Sequence, residues 1–382
     1  MKKLLIPAVA LCLVAAACGP KTQKAVLVPE ANFQEQMDTI PVQLYTITNG
    51  QLLAQVTNYG ARVVSLFVPD RDGKAANVLI GHDNLTDYKV ARGERYLGAM
   101  AGPVAGPISN GSFTIGGTTY NTDKNAGSYT FNGGGLGLDK RPWYVKYQAD
   151  SSIQMRLRLQ DGEEGFPGLR EIQVTYSVAE SSFIVLVRAI TSKPTPFSVA
   201  WQPWFNLHGE GEGTVEDLEL AINAKGYMPL DGQAIPKDQI IPVDGTPMDF
   251  MDFHVIGDRI GVNHDQINQA GGYNAYMRVN AFVHRFPLLE ACMLRDPVSG
   301  RKLTVMTNRP VLHVETGNSF DGTMVGTNGK SILRHGGILL SCEDYPDALN
   351  QSNFPDNVVD LEGYYASTAI YSFSIEEKAD NQ

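Results

Sequence analysis

Chemistry near neutral pH needs side chains that exchange protons, attack as nucleophiles or hold metals. Few groupings in this 382-residue chain qualify. Glu163-Glu164 is an acidic pair, but adjacent residues on a strand point to opposite faces, so it makes a poor carboxylate dyad and reads as a solvated turn. Gly133-Gly134-Gly135-Leu136-Gly137 lacks the Lys-Ser/Thr and the helix that a phosphate loop needs. Asp70-Arg71-Asp72-Gly73 lacks the later acidic ligands of a calcium loop and suits a hairpin turn. No Gly-x-Ser-x-Gly elbow is present. His82, His208, His254, His264, His284 and His335 show no metal-ligand spacing, so no metal and no cofactor is expected. His313 is different. Glu315 lies two residues on, so a strand would aim both side chains the same way, and an imidazole titrates in the range acid–base work needs.

The elements that would position such groups are strands. Ile153, Met155, Leu157 and Leu159 alternate with Gln154, Arg156, Arg158 and Gln160, the period of a half-buried strand. Ile172, Val174, Tyr176 and Val178 repeat it, Phe183, Val185 and Val187 start another, and Tyr371, Phe373 and Ile375 close the chain. Turn signals are dense: Asp72-Gly73, Asn110-Gly111, Asp161-Gly162, Asp231-Gly232 and Asn328-Gly329. No long stretch holds a helical period, and no repeat or composition break divides the chain. The pattern predicts one all-β sandwich or barrel domain over residues 41–377, with a short tail at 378–382.

Several segments, in order along this domain, resemble the aldose 1-epimerase (galactose mutarotase) family. They are Asn58-Tyr59-Gly60-Ala61 with Pro69 to Lys74, Phe131 to Trp143 (FNGGGLGLDKRPW), Asp161 to Gly168 (DGEEGFPG) and Trp204-Phe205-Asn206-Leu207. Gly245 to Phe250 (GTPMDF), Thr316-Gly317-Asn318, and Tyr345 to Asn350 (YPDALN) with Asn353-Phe354-Pro355 complete the series. The resemblance implies an all-β, galactose-mutarotase-like antiparallel supersandwich with a sugar held in an open cleft on one sheet. It also implies the activity: interconversion of the α and β anomers of free aldoses by a glutamate and a histidine that exchange protons with the anomeric hydroxyl and the ring oxygen.

The motifs match but the family's working residues do not. Its Asn-Arg falls on Gly106-Pro107, its first histidine on Asn132, and its catalytic histidine on Gln202. Its aspartate falls on Asn274, its glutamine on His313 and its catalytic glutamate on Ser341. Amides and hydroxyls hold sugar hydroxyls but do not carry protons near pH 7. The expectation is therefore a carbohydrate-binding protein for a monosaccharide or glycan, contacting it through Asn132, Gln202, Asn274, His313 and Ser341, with conventional mutarotation lost. Trp201 is a candidate platform for the apolar face of a pyranose, with Trp204 and Phe131 behind it. The alternative is a working epimerase with a relocated acid–base pair, His313 and Glu343. Glu343 lies two residues beyond Ser341, on the same strand face and roughly 6–7 Å along it.

Composition sets the surroundings. A net charge of −10 argues against nucleic acid as a partner. Lys2 and Lys3 precede an apolar run from Leu4 to Ala17, too short to span a bilayer comfortably and built like a secretory leader over residues 1–17. Leu13 to Cys18 resembles a bacterial lipobox, which implies cleavage before Cys18 and acylation of its sulfur. Residues 18–40, polar and interrupted by Pro20 and Pro29, then read as a tether. The expected location is the bacterial cell envelope, periplasm or outer membrane, with a lipid anchor. Cys292 and Cys342 remain, and their pairing is left open, as is the oligomeric state.

Overall fold

The computed structural model describes residues 25–280 and 288–377. The expected leader, the acylation site Cys18, His284 and the 378–382 tail lie outside the described residues.

The longest alternating segments pair with one another. In spatial order, Tyr144–Ala149, Ser152–Leu159, Arg170–Ala179, Ser182–Thr191, Tyr365–Ile375, Arg301–Thr307, Leu289–Arg295, Glu219–Ile222 and His254–Val255 form a nine-stranded antiparallel sheet. Its apolar alternation lies on one face: Met155, Ile172, Val174, Tyr176, Phe183, Val185, Val305 and Tyr371 are buried, while Gln154, Arg156, Gln173 and Arg188 keep contact with water. The strands expected from sequence at 153–159, 172–178, 183–187 and 371–375 are all present.

A six-stranded antiparallel sheet covers that apolar face. Its order is Trp204–Phe205, Ile338–Glu343, Val311–Glu315, Asn274–Arg278, Gly226–Met228 and Ile241–Pro242. Ala275, Met277, Leu312, Val314, Leu340 and Cys342 belong to the core shared with the nine-stranded sheet. The Tyr371 hydroxyl donates to the Leu340 carbonyl at 3.1 Å, tying the two layers. Side-chain alternation then forces Asn274, Tyr276, His313, Glu315, Ser341 and Glu343 onto the opposite face. One sheet thus presents an apolar side to the core and a polar, titratable side away from it.

A four-stranded sheet, Leu44–Thr48, Leu53–Thr57, Arg62–Pro69 and Ala75–Asn77, extends the sandwich. Buried Arg62 anchors it. The guanidinium donates to the carbonyls of Arg95, Leu97 and Asp139 and lies 4.4 Å over the Tyr88 ring. The loop at 94–97 is thereby held against the Gly133–Gly137 turn, where Arg95 pairs with Asp139 and donates to the carbonyls of Gly134 and Gly135. Gly133 has no alternative there: a Cβ would stand 1.9 Å from the Gly102 carbonyl oxygen.

The expected tether is shorter than the sequence suggested. Phe33 and Val28 are buried in a satellite core with Leu44, Val64 and Tyr88. Gln55 accepts from the Val28 amide and donates to the Val28 carbonyl, both at 2.9 Å. Glu35–Met37 and Ile40–Val42 form a hairpin. The domain therefore starts near Val28, because two apolar side chains in a polar stretch suffice to dock it. Cys292 and Cys342 are buried free thiols.

Candidate functional site

Three neighbouring strands carry the polar face, and their register aligns its residues in rows. Tyr276 opposes His313, which opposes Ser341; Asn274 opposes Glu315. Antiparallel partners on one face approach closely enough for side chains to meet. The Tyr276 and His313 rings stack at 4.2 Å between centroids, 15° from parallel. His313 Nε2 donates to Asn274 Oδ1 at 3.0 Å, which leaves Nδ1 facing Glu343 Oε1 at 3.7 Å. An acceptor amide behind an imidazole fixes the ring's tautomer and its aim.

Glu343 is the centre of the cluster. Its carboxylate reaches back along the strand, and Oε1 accepts from the Ser341 hydroxyl at 2.8 Å and from Gln202 Nε2 at 3.1 Å. Gln202 also donates to the Ser341 oxygen at 2.9 Å. Glu343 is 1% exposed, yet its Oε2 has no hydrogen-bonding partner among the described residues. A buried carboxylate oxygen left unpaired costs free energy that a donor arriving on this face would recover.

Glu315 completes the row. Burial raises its carboxyl to about 7; the His313 imidazole opposes the shift and the Glu94 carboxylate reinforces it. Burial likewise raises Glu94, whose carboxylate accepts from the Tyr96 amide at 2.8 Å. Glu94 lies on the loop that Arg62 anchors through the Arg95 and Leu97 carbonyls. Tyr276 had a signal, lying two residues from Asn274 on one strand.

Of the residues expected to bind substrate, Gln202, Asn274, His313 and Ser341 are brought together with Glu343. Asn132 is nearby but occupied: its side-chain oxygen accepts from the Gly106 amide at 2.8 Å and holds that loop over the face. Gly106 packs so closely that a Cβ on it would lie 3.3 Å from the Tyr276 hydroxyl and 3.8 Å from Glu343 Oε2. Trp201 is a correction. It is 3% exposed and packed among Tyr176, Phe183, Phe205 and Tyr371, with its indole N–H donating to the Gly98 carbonyl. As neighbours in an extended segment, Trp201 and Gln202 face opposite ways, so a Gln202 on the polar face puts Trp201 in the core. Trp204 is likewise buried, against Phe320. Phe131 alone of the three aromatics is partly exposed, in a cluster with Tyr96 and Tyr129. Glu163 and Glu164 serve the turn, as expected: Glu163 pairs with Arg141 and Glu164 accepts from the Leu136 amide.

A separate polar cavity of 570 Å³ shares no residue with this face and is lined by Asp70, Arg71, Lys74, His208, Glu210, Asp296 and Arg301 among others. Asp70 pairs with Arg301, and His208 with Asp296 and Asp217. Burial disfavours a charged His208, but bonds from Asp296 and Asp217 outweigh it and carry the imidazole up to about 8. Burial also opposes the Asp296 charge, and His208 and Ser299 overcome it to bring that carboxyl to about 2. A histidine raised in the folded state stabilises the fold fully below its unfolded value, about 6.5, and loses that contribution as pH rises through 8. The melting temperature of the full chain should therefore fall between about pH 6.5 and 8, and His208→Gln should flatten that slope. An unchanged slope in the variant would assign it to other groups.

Comparison with known proteins agrees with this architecture. The family described as "Aldose 1-epimerase" matches residues 43–371. Galactose mutarotase from Mus musculus is 32% identical over 340 residues, covering 87% of this chain and 94% of that protein. Aldose 1-epimerase from Escherichia coli K12 is 29% identical over 352 residues, covering 89% and 97%. Among solved structures, a GalM/aldose epimerase homologue from C. elegans superposes with a TM-score of 0.79 at 23% identity, covering 88% of this chain and all of that one. Galactose 1-epimerase from Lactobacillus acidophilus NCFM gives 0.77 at 25% identity, covering 90% and 97%. With the family matched over most of its length and the sandwich reproduced, this chain belongs to the aldose 1-epimerase family.

Proposed function

We propose that this protein binds a free aldose on the polar face of the six-stranded sheet and interconverts its anomers with Glu343 and His313. The observation that carries the reading is the position of the Glu343 carboxylate, bent back between Ser341, Gln202 and His313. Those are the positions where relatives of this family keep a glutamate, a histidine and a glutamine, so a carboxylate and an imidazole stand together again although neither occupies its usual place. In this mechanism Glu343 takes the proton of the anomeric hydroxyl. The O–H electrons form the C1 carbonyl, the C1–ring oxygen bond breaks, and the ring oxygen takes the Nδ1 proton of His313, which enters the step as the imidazolium while its Nε2–H stays on Asn274. Rotation about C1–C2 presents the other carbonyl face, and the steps reverse. No net redox change and no cofactor is required.

The test is polarimetry on freshly dissolved α-D-glucose and α-D-galactose. The chain should accelerate mutarotation over buffer, and His313→Ala should lower the rate by about 10²-fold, the usual scale for one proton-transfer partner. No acceleration for either sugar would overturn the reading. Capture without turnover is the second reading. It is favoured by one observation: Glu343 and His313 approach from strands of the same sheet and contact each other, rather than facing one another across a gap. Saturable sugar binding in calorimetry with no change in mutarotation would select it.

We also infer export and acylation at Cys18, on the strength of the basic start, the apolar run and the lipobox-like ending. Cys18→Ser should move the protein from the membrane fraction to the soluble fraction.

A further inference from the structure

The nine-stranded sheet gives one face to the core and leaves the other open to water. Register lines up three rows on that outer face. Arg158 opposes Glu171, which opposes Ile190. Tyr144 opposes Arg156, and Gln173, Arg188 and Ala366 follow on successive strands. Tyr147 opposes Gln154, with Thr175, Leu186 and Thr368 beyond it. Tyr365 packs in the core, so its neighbour Tyr364 points outwards. With Glu171, Gln173, Arg188 and Ile190, Tyr364 lines a shallow recess of 380 Å³. Asp360 shapes the turn that presents it, accepting from the Glu362 and Gly363 amides at 3.2 and 2.8 Å.

Two properties set these rows apart from an ordinary solvated sheet face. The first is aromatic surface: Tyr144, Tyr147 and Tyr364 are 55%, 56% and 67% exposed. The second is charge. In a chain of net charge −10, the rows hold three guanidiniums and one carboxylate. Glu171 stands 3.7 Å from Arg156 and 3.6 Å from Arg158. Arg188, in the recess, forms no hydrogen bond and no salt bridge among the described residues. An exposed ring can lie against the C–H face of a pyranose, and a guanidinium grips a carboxylate through two parallel N–H bonds. The row from Tyr144 to Ala366 crosses four strand spacings, roughly 19 Å at about 4.8 Å each, the reach of a short oligosaccharide rather than of one sugar. We propose that this outer face binds an acidic glycan, a chain of uronic acid residues laid across the strands. Its carboxylates meet Arg188 and the Arg156–Arg158 pair, and its rings lie on Tyr144 and Tyr364. An acidic peptide would satisfy the guanidiniums but would bring no sugar ring to the tyrosines. The site shares no residue with the polar face of the six-stranded sheet and does not depend on how that face is read.

The experiment is calorimetry on the full chain near neutral pH with tetragalacturonate, neutral maltotetraose and tetra-L-glutamate. Tetragalacturonate should bind saturably and at least about tenfold more tightly than either control, the scale of one charge-assisted contact. Arg188→Ala and Tyr364→Ala should each weaken it by about fivefold or more. Both side chains are exposed, so neither change should disturb folding, which thermal unfolding checks, and polarimetry should give the same rate for both variants as for the unmodified chain. Absence of saturable tetragalacturonate binding, or binding undiminished in either variant, overturns the inference. Maltotetraose binding as tightly removes the role of charge and tetra-L-glutamate binding as tightly removes the role of the rings; either overturns it too. None of these outcomes bears on the aldose reading.

Discussion

Glu343→Gln should reduce the anomer-interconverting rate by about 10²–10⁴-fold, the largest catalytic loss expected of any single substitution here. The amide has the size of the carboxylate and can still accept from Ser341 and Gln202 through its oxygen, so the hydrogen-bonded cluster survives. It cannot take a proton from a hydroxyl. The sugar affinity measured by calorimetry should change much less than the rate, because the proton acceptor acts in the transition state rather than in holding the ground state. A variant that keeps its full rate would remove Glu343 from the chemistry. Ser341→Ala is the informative companion. It deletes one of two donors to Glu343 Oε1 and should lower the rate by a smaller factor, since Gln202 still fixes the carboxylate.

Trp201→Ala should cost about 3–5 kcal/mol of folding stability, as truncation of a large, fully packed aromatic does. The indole sits at the meeting point of Tyr176, Phe183, Phe205 and Tyr371, with centroid distances from 4.9 to 6.4 Å and mostly edge-on geometry. Its N–H bond to Gly98 also secures the segment from which Gln202 enters the site. The measurement is denaturant unfolding monitored by circular dichroism. A sugar-stacking tryptophan would show the opposite pattern, with lost affinity and unchanged stability.

Much of this architecture was legible from residue order. Half-buried strands write their two faces as alternating apolar and polar residues, so the segments at 153–159, 172–178 and 183–187 announced themselves. The two-residue strands Ala200–Trp201 and Trp204–Phe205 could not, because two residues hold no period; they exist only through partners distant in the chain. The same limit misplaced Trp201. Its chemistry suits a sugar, and only the parity of its neighbour Gln202 shows that it faces inward. Phe33 and Val28 were hidden in a polar stretch for a related reason, since docking depends on what lies opposite them. In the site, strand alternation correctly put Glu343 on the face of Ser341 and Glu315 on the face of His313. It set the Glu343 backbone a step away from Ser341. The side chain leans back to accept from that serine and from Gln202, contacts invisible in a single strand.

Pinning the chain at Val28 has a consequence for how the domain meets a membrane. About ten residues separate Cys18 from that anchor, and even fully extended they reach at most about 35 Å. If Cys18 is acylated, the sandwich cannot range freely above the lipid surface. It must stay within roughly its own width of the bilayer, held by the flank into which Val28 and Phe33 pack.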